Sequence, residues 1–151
     1  LRKTLARYAA HPGFELCFDR SFNQVIEACA QSPREGQNGT WIVPAMVDAY
    51  KALHLAGYAH SAETWLDGKL VAGLYFVCIG KAVFGESMFS TISDGSKMAL
   101  AALVLQLSLL NNASADVYFA LTLQTTKGTC HCAQSARHCI SNWSAASCKP
   151  W

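Results

Sequence analysis

The stretch YAHSAETWLDGKLVAGLYFVCIG, residues 58–80, constrains the fold more than any other part of the chain. Its hydrophobic pattern abandons the helical period of the segments on either side. It reads as two strands joined at Asp67-Gly68, a pair that readily takes the positive φ angles of a tight hairpin turn. An antiparallel pair therefore stands at the centre of the fold, and the flanking segments must cover it. KAVF adds a further short strand and DVYFALTL one more.

The covering elements have their own signals. FDRSFNQVIEACAQ places Phe22, Val25, Ile26 and Cys29 at helical spacing, with Asp19 available as a cap. After the turn-rich segment from Ser32 to Thr40, WIVPAMVDAYKALHLAG puts Pro44 near a helix start and Gly57 just past its end. Met46, Tyr50 and Leu53 share one face of that helix. SDGSKMALAALVLQLSLL offers Ser93 or Asp94 as a cap to a helix so apolar that it is expected to be buried on most sides. Helices on a mainly antiparallel sheet give an α/β domain of α+β layered type.

With 151 residues, 52% hydrophobic and 15% charged, the chain suits one globular domain. No apolar run approaches the ~18 residues of a membrane span. A soluble cytoplasmic protein is expected, and the start at Leu1 rather than Met reads as a fragment. A net charge of +2 does not establish a nucleic-acid partner. Arg2, Lys3 and Arg7 do precede the first acid, Glu15, and on charge alone they read as a solvated helix face. Cys17, Cys29 and Cys78 read as buried thiols.

Four places could carry chemistry. In GKAVFGESMFS, residues 80–90, Glu86 follows Gly85 and precedes Met88 and Phe89. An ionised carboxylate in an apolar wall is costly unless paired. A strand end that grips a cationic amine, with Leu74, Phe84, Met88 and Phe89 walling an apolar pocket, would account for it. So would a salt-bridged strand end, which local sequence alone favours. SDGSK, with Lys97, could dock a phosphate at a helix start but lacks a Walker or dinucleotide fingerprint, so an ordinary cap is preferred. His60, Ser61 and Glu63 cannot form a triad on one strand, because His60 faces opposite to the other two. CHCAQSARHC holds Cys130, His131, Cys132, His138 and Cys139. Cys130 and Cys132 are only one residue apart, and no matching second pair follows, so the zinc signal is weak.

GTWIVPAMVDAYKALHLAGYAHSAETW, LVAGLY and FGESMFSTISDGSKMAL resemble the catalytic domain of bacterial leucyl/phenylalanyl-tRNA–protein transferases, from about Leu1 to about Leu103. The resemblance implies the acyltransferase fold shared with GCN5-related N-acetyltransferases, its C-terminal portion incomplete here. It implies transfer of Leu or Phe from aminoacyl-tRNA to an N-terminal Arg or Lys of a protein, marking that protein for degradation. Glu86 would hold the α-amino group of the aminoacyl ester. Leu74, Phe84, Met88 and Leu100 would line the side-chain pocket, with each methylene worth about 1–3 kcal/mol of discrimination. Trp41 would sit near the tRNA end or the acceptor peptide. Arg2, Lys3 and Arg7 would contact the tRNA backbone. The ester is already activated, so no cofactor and no metal is implied, and a monomer without membrane contact is expected.

The chain also departs from that family's pattern. The Asp-Cys-Gln motif expected on the strand after the long helix is absent from SADVYFALTLQTT, and neither Asp116 nor Gln124 sits in such a motif. Ala72 and Phe76 stand where glycine is usual, and Gly95 where alanine is common. The family's N-terminal domain is missing. Residues 1–115 therefore read as a partial catalytic domain. Residues 116–151 read as a Ser/Cys-rich ending with neither strand nor helix period, put in place by a frameshift; the chain would be inert if that ending is an accident. Two alternatives differ in class. An acetyl-CoA enzyme would need a pyrophosphate loop that the sequence lacks. A non-catalytic remnant of the fold would take zinc on its Cys/His tail.

Overall fold

The computed structural model describes residues 2–32, 42–80, 82–111, 118–125, 128–135 and 149–150. In chain order the elements are α1 (Arg2–Ala9), β1 (Phe14–Phe18), α2 (Phe22–Gln31), α3 (Pro44–Leu55), β2 (Ala59–Leu66), β3 (Lys69–Ile79), β4 (Ala82–Ser90), α4 (Gly95–Asn111), β5 (Tyr118–Thr125), β6 (Gly128–Ser135) and β7 (Lys149–Pro150). The sheet runs β6-β5-β4-β3-β2-β1-β7. Its centre, β4-β3-β2-β1, is wholly antiparallel. Beyond it β5 lies parallel to β4.

The hairpin forms as expected. Leu66 pairs with Lys69, and Asp67 and Gly68 turn the chain at φ 50° and 72°. Proline opens α3, where its missing N–H costs nothing. Gly57, at φ 79°, closes it: its N–H reaches the His54 carbonyl at 2.9 Å and the Tyr58 N–H reaches Leu53 at 2.9 Å. These two bonds are the Schellman pattern of a helix end. On α2 the buried residues are Phe22, Val25, Ile26 and Cys29, the set that the spacing picks out. Cys17 and Cys78 are buried as well.

Helices cover the sheet on both sides. On one face Ala99, Leu103 and Leu107 of α4 pack on Ala62, Leu74, Phe76 and Val83. On the other, α2 and α3 pack on Ala59, Tyr75, Val77 and Phe89. At the start of α4, a β-carbon on Gly95 would stand 2.6 Å from Ser90 Oγ and 2.7 Å from Ala72 Cβ. Ala72 and Gly95 thus fit each other, since the methyl of Ala72 occupies space that an alanine at 95 would need.

Several expectations are corrected. The strand β1 has no counterpart in the sequence reading; five residues leave too little pattern to separate it from a loop. Of KAVF, Lys81 lies outside the described residues, and Ala82–Phe84 is only the beginning of a nine-residue strand that continues through Glu86. Asp19 does not cap α2; Ser21 precedes that helix, and Asp19 turns at φ 52° toward β2. Leu53 is exposed at 37%, so only Met46 and Tyr50 of its face pack inward. Val104 and Leu105 of α4 are 41% and 44% exposed, because a single helix side meets the sheet. In the ending, β6 pairs with β5 despite a sequence without period, since backbone ladders need no side-chain pattern.

Candidate functional site

The register of β3 against β4 shifts where the candidate acid lies. Tyr75 pairs with Ser87 and Phe76 with Gly85, leaving Glu86 as the extra residue of a β-bulge. Bulges re-aim side chains and recur next to active sites. Here the bulge resets the alternation of faces. Met88 lies on the α4 face with Leu74, its cross-strand partner, while Glu86 turns to the α3 face. Glu86 is therefore not at a strand end, as its neighbours suggested, but in mid-strand at an irregularity.

On the α3 face, Tyr50 donates its hydroxyl to Glu86 Oε2 at 3.1 Å. The Tyr50 ring meets Tyr75 edge-on at 4.9 Å, so the phenol is held against β3. Burial pushes the Glu86 carboxyl above the ordinary carboxylate range, and the Tyr50 hydrogen bond offsets only part of that rise. The Tyr50 phenol is pushed up to about 12, first by its own burial, then by the Glu86 charge and by the hydrogen bond. Among the described residues no Lys, Arg or His forms an ion pair with Glu86. A half-buried carboxylate that is costly to ionise and lacks a described counter-charge is suited to a cationic ligand.

The apolar candidates divide around this point. Leu74, Met88 and Leu100 come together in the α4-side cluster, where Phe76 is also buried. Phe84 pairs with Val77, whose side chain belongs to the α3 side, and Phe89 lies on that side too. The β4–β5 ladder runs from Ala82 to Gly85, so β4 parts from its outer neighbour one residue before Glu86. Glu86 thus lies on one face, just past the end of that ladder, and Leu74 and Met88 lie on the other.

Other sequence candidates fall elsewhere. Lys3 and Arg7 are exposed on α1, Arg7 lying over the Tyr8 ring at 4.9 Å; the Arg2 side chain is outside the described residues. Trp41, His138 and Cys139 also lie outside them, as do the side chains of Cys130, His131 and Cys132. Ser61 donates to Glu63 at 2.8 Å while His60 Nδ1 meets Asp19 Oδ2 at 2.7 Å, so no triad forms. In SDGSK, Lys97 is engaged by Asp94 at 2.6 Å, and the Met98 N–H reaches the Asp94 carbonyl at 3.0 Å, as at an ordinary helix start. Tyr50 was missed as a site residue. Its inward spacing on α3 was visible, but nothing in sequence separates a core tyrosine from one that meets a carboxylate 36 positions away. Among the described residues no helix is long and apolar enough to cross a membrane.

Comparison with known proteins places this geometry in context. A family model described as leucyl/phenylalanyl-tRNA protein transferase matches residues 1–138. A leucyl/phenylalanyl-tRNA–protein transferase of Polaromonas sp. is 62% identical over 104 residues, 69% of this chain and 41% of that protein. Proteins of the same description from Albidiferax ferrireducens and Paraburkholderia phytofirmans are 59% and 57% identical over 103 and 104 residues. These cover 68% and 69% of this chain, and 41% and 42% of those proteins. The chain thus spans about two fifths of the length of the relatives it matches.

Proposed function

Because the chain belongs to the leucyl/phenylalanyl-tRNA protein transferase family, we propose that it binds the aminoacyl end of Leu- or Phe-tRNA. In the complete protein it transfers that residue to an N-terminal Arg or Lys of an acceptor protein, tagging the acceptor for degradation. The observation that carries this reading is Glu86, a half-buried carboxylate with a raised pKa and no described counter-cation, set in a bulge one residue past the end of the β4–β5 ladder. A parallel strand beyond an antiparallel centre supports an acyltransferase fold of the GCN5-related type.

In this reading the aminoacyl ester enters past the end of that ladder. Its α-ammonium pairs with Glu86, and its side chain lies toward Leu74, Met88 and Leu100. Phe84 borders the same end of β4, and Trp41 serves the tRNA end. Phe76, buried beside Leu74, fills volume that a glycine would leave empty and sets the depth of the pocket. Arg2, Lys3 and Arg7 on α1 supply sequence-independent phosphate contacts that weaken with salt. The acceptor amine attacks the ester carbonyl, a carbon–nitrogen bond forms, and the ester C–O bond breaks. The proton lost by the amine goes to the departing ribose oxygen. Fixing the ester against the amine is the main contribution asked of the site. The unit acts as a cytoplasmic monomer, with residues 1–115 as the partial catalytic domain and a replaced ending within residues 116–151, although the family model extends to residue 138.

The test is binding of a phenylalanine ester of adenosine to the purified chain and to Glu86→Gln. A hydrogen bond to a charged group contributes about 1.5–3 kcal/mol, so affinity should fall roughly 10- to 100-fold. Equal affinity in the two proteins, with far-UV circular dichroism unchanged, would sink the role given to Glu86.

A further inference from the structure

Asp19, His54 and His60 lie far apart in sequence but meet in space. Asp19 follows β1, His54 lies in the last turn of α3, and His60 stands near the start of β2. One ligand-capable atom from each falls within 4.8 Å of the other two. None of the three belongs to the site around Glu86.

Each side chain is already oriented. His54 Nδ1 lies 2.8 Å from the Ala59 carbonyl. A carbonyl only accepts, so Nδ1 carries the proton and Nε2 keeps its lone pair. The ring lies flat on Phe22 at 4.2 Å with an interplanar angle of 6°, which fixes the direction of that lone pair. One Asp19 oxygen accepts the Ser61 N–H at 2.8 Å, and the other meets His60 Nδ1 at 2.7 Å. The Asp19 and His60 side chains are only 7% and 10% exposed, while His54 is partly open to solvent.

We propose that these three residues bind a divalent transition metal, Zn²⁺ in the first instance. Two imidazoles and one carboxylate suit zinc and its neighbours better than calcium or magnesium, which take oxygen ligands. His54 has the usual outer partner, its Nδ1 donating to the Ala59 carbonyl, and one Asp19 oxygen is itself hydrogen-bonded by the Ser61 N–H. The ion would take the place of the proton between His60 Nδ1 and Asp19 Oδ2, which lie 2.7 Å apart. Zinc–nitrogen bonds of about 2.0–2.1 Å put tetrahedral ligand atoms roughly 3.4 Å apart. Closing the cluster therefore takes side-chain shifts of about 1 Å, within reach of a partly exposed His54. The ion would tie the end of β1, the end of α3 and the start of β2 together. Tyr50 lies one helical turn before His54, so the ion would also hold the part of α3 that meets Glu86.

The probe is Co²⁺, titrated into the full chain after chelator treatment and then displaced by Zn²⁺. A nitrogen- and oxygen-ligated site gives visible d–d absorption saturating near one equivalent. Thiolate ligation by the tail cysteines would instead announce itself by near-ultraviolet charge transfer. His54→Phe keeps the stack on Phe22 and removes Nε2, and it should weaken the d–d signal at least 10-fold. An unchanged signal in that variant, or thiolate bands alone in the parent chain, would overturn the site. Ring resonances of the parent protein give a test independent of how the variant folds. Zn²⁺ should shift those of His54 and His60 and leave His11 in place, and unmoved His54 and His60 rings would refute the proposal.

Discussion

Two carboxylates sit on the strands that flank β3 in one sheet, and their surroundings differ in nearly every respect. Glu63 on β2 is 1% exposed and accepts three hydrogen bonds of 2.8 Å, from the Ser21 N–H, the Ser61 hydroxyl and the Trp65 indole. Glu86 on β4 is half-buried, accepts one described bond of 3.1 Å, and is held above the ordinary carboxylate range by burial. The first acid is deeper in the protein yet better supplied with donors. Burial alone therefore does not mark a working acid; burial with too few partners does. Glu63 fastens the start of α2 to the sheet, whereas Glu86 keeps capacity for a ligand.

The comparison breaks if the two acids respond alike to substitution. Glu63→Ala strands three donors in the interior, each costing about 1–3 kcal/mol, so a loss of at least about 3 kcal/mol is expected. That is a large part of the 5–15 kcal/mol typical of a domain. Urea unfolding checks it, and a loss under about 1 kcal/mol would show that the three bonds do not anchor α2. Glu86→Gln should change stability by no more than about 1 kcal/mol, and toward greater stability at neutral pH, because it removes a charge that is costly to bury.

The pH dependence sharpens the contrast. The folded pKa of Glu86 is raised, so its contribution to stability is complete below the unfolded value of about 4.3 and is lost as pH rises through the folded value. Relative to Glu86→Gln, the parent chain should lose stability between about pH 4 and neutrality. Affinity for an amine should rise over the same interval, since only the carboxylate pairs with it. Unfolding and ester-binding measurements across that range read the two trends. Parallel trends would mean that Glu86 is not the group holding the amine.

Much of this was legible in the sequence, and the unread part has a common cause. Phe22, Val25, Ile26 and Cys29, the Asp67-Gly68 turn and the Pro44 and Gly57 helix ends are local signals, and the structure repeats them. Glu86 drew notice because an acid among apolar residues is locally odd. What made it a site was not local. The bulge depends on how β4 pairs with β3, and Tyr50 reaches it from a helix 36 positions earlier. Asp19 was read as a helix cap for the same reason, since its real partners, His60 and the Ser61 N–H, lie 41 and 42 positions away. The packing of Ala72 against Gly95 likewise turned two separate oddities into one arrangement.

The smallest expected effect tests whether Tyr50 belongs with Glu86 or merely lies beside it. Tyr50→Phe removes one hydrogen bond and should cost only about 1 kcal/mol. It should also raise the Glu86 pKa further, because the phenol is what lowers it. The acid limb of ester binding would move to higher pH. The reciprocal reading uses the phenol itself, pushed up to about 12. Its contribution to stability is complete below the unfolded value of about 10 and fades as pH rises through the folded value. Tyrosinate absorbance after a rapid pH jump should show a phenol ionising near 12. In Glu86→Gln that step should move down toward 10, since two of its three causes involve Glu86 while burial remains. A step that stays in place would mean that burial alone governs Tyr50, and the two residues would then be neighbours without coupling.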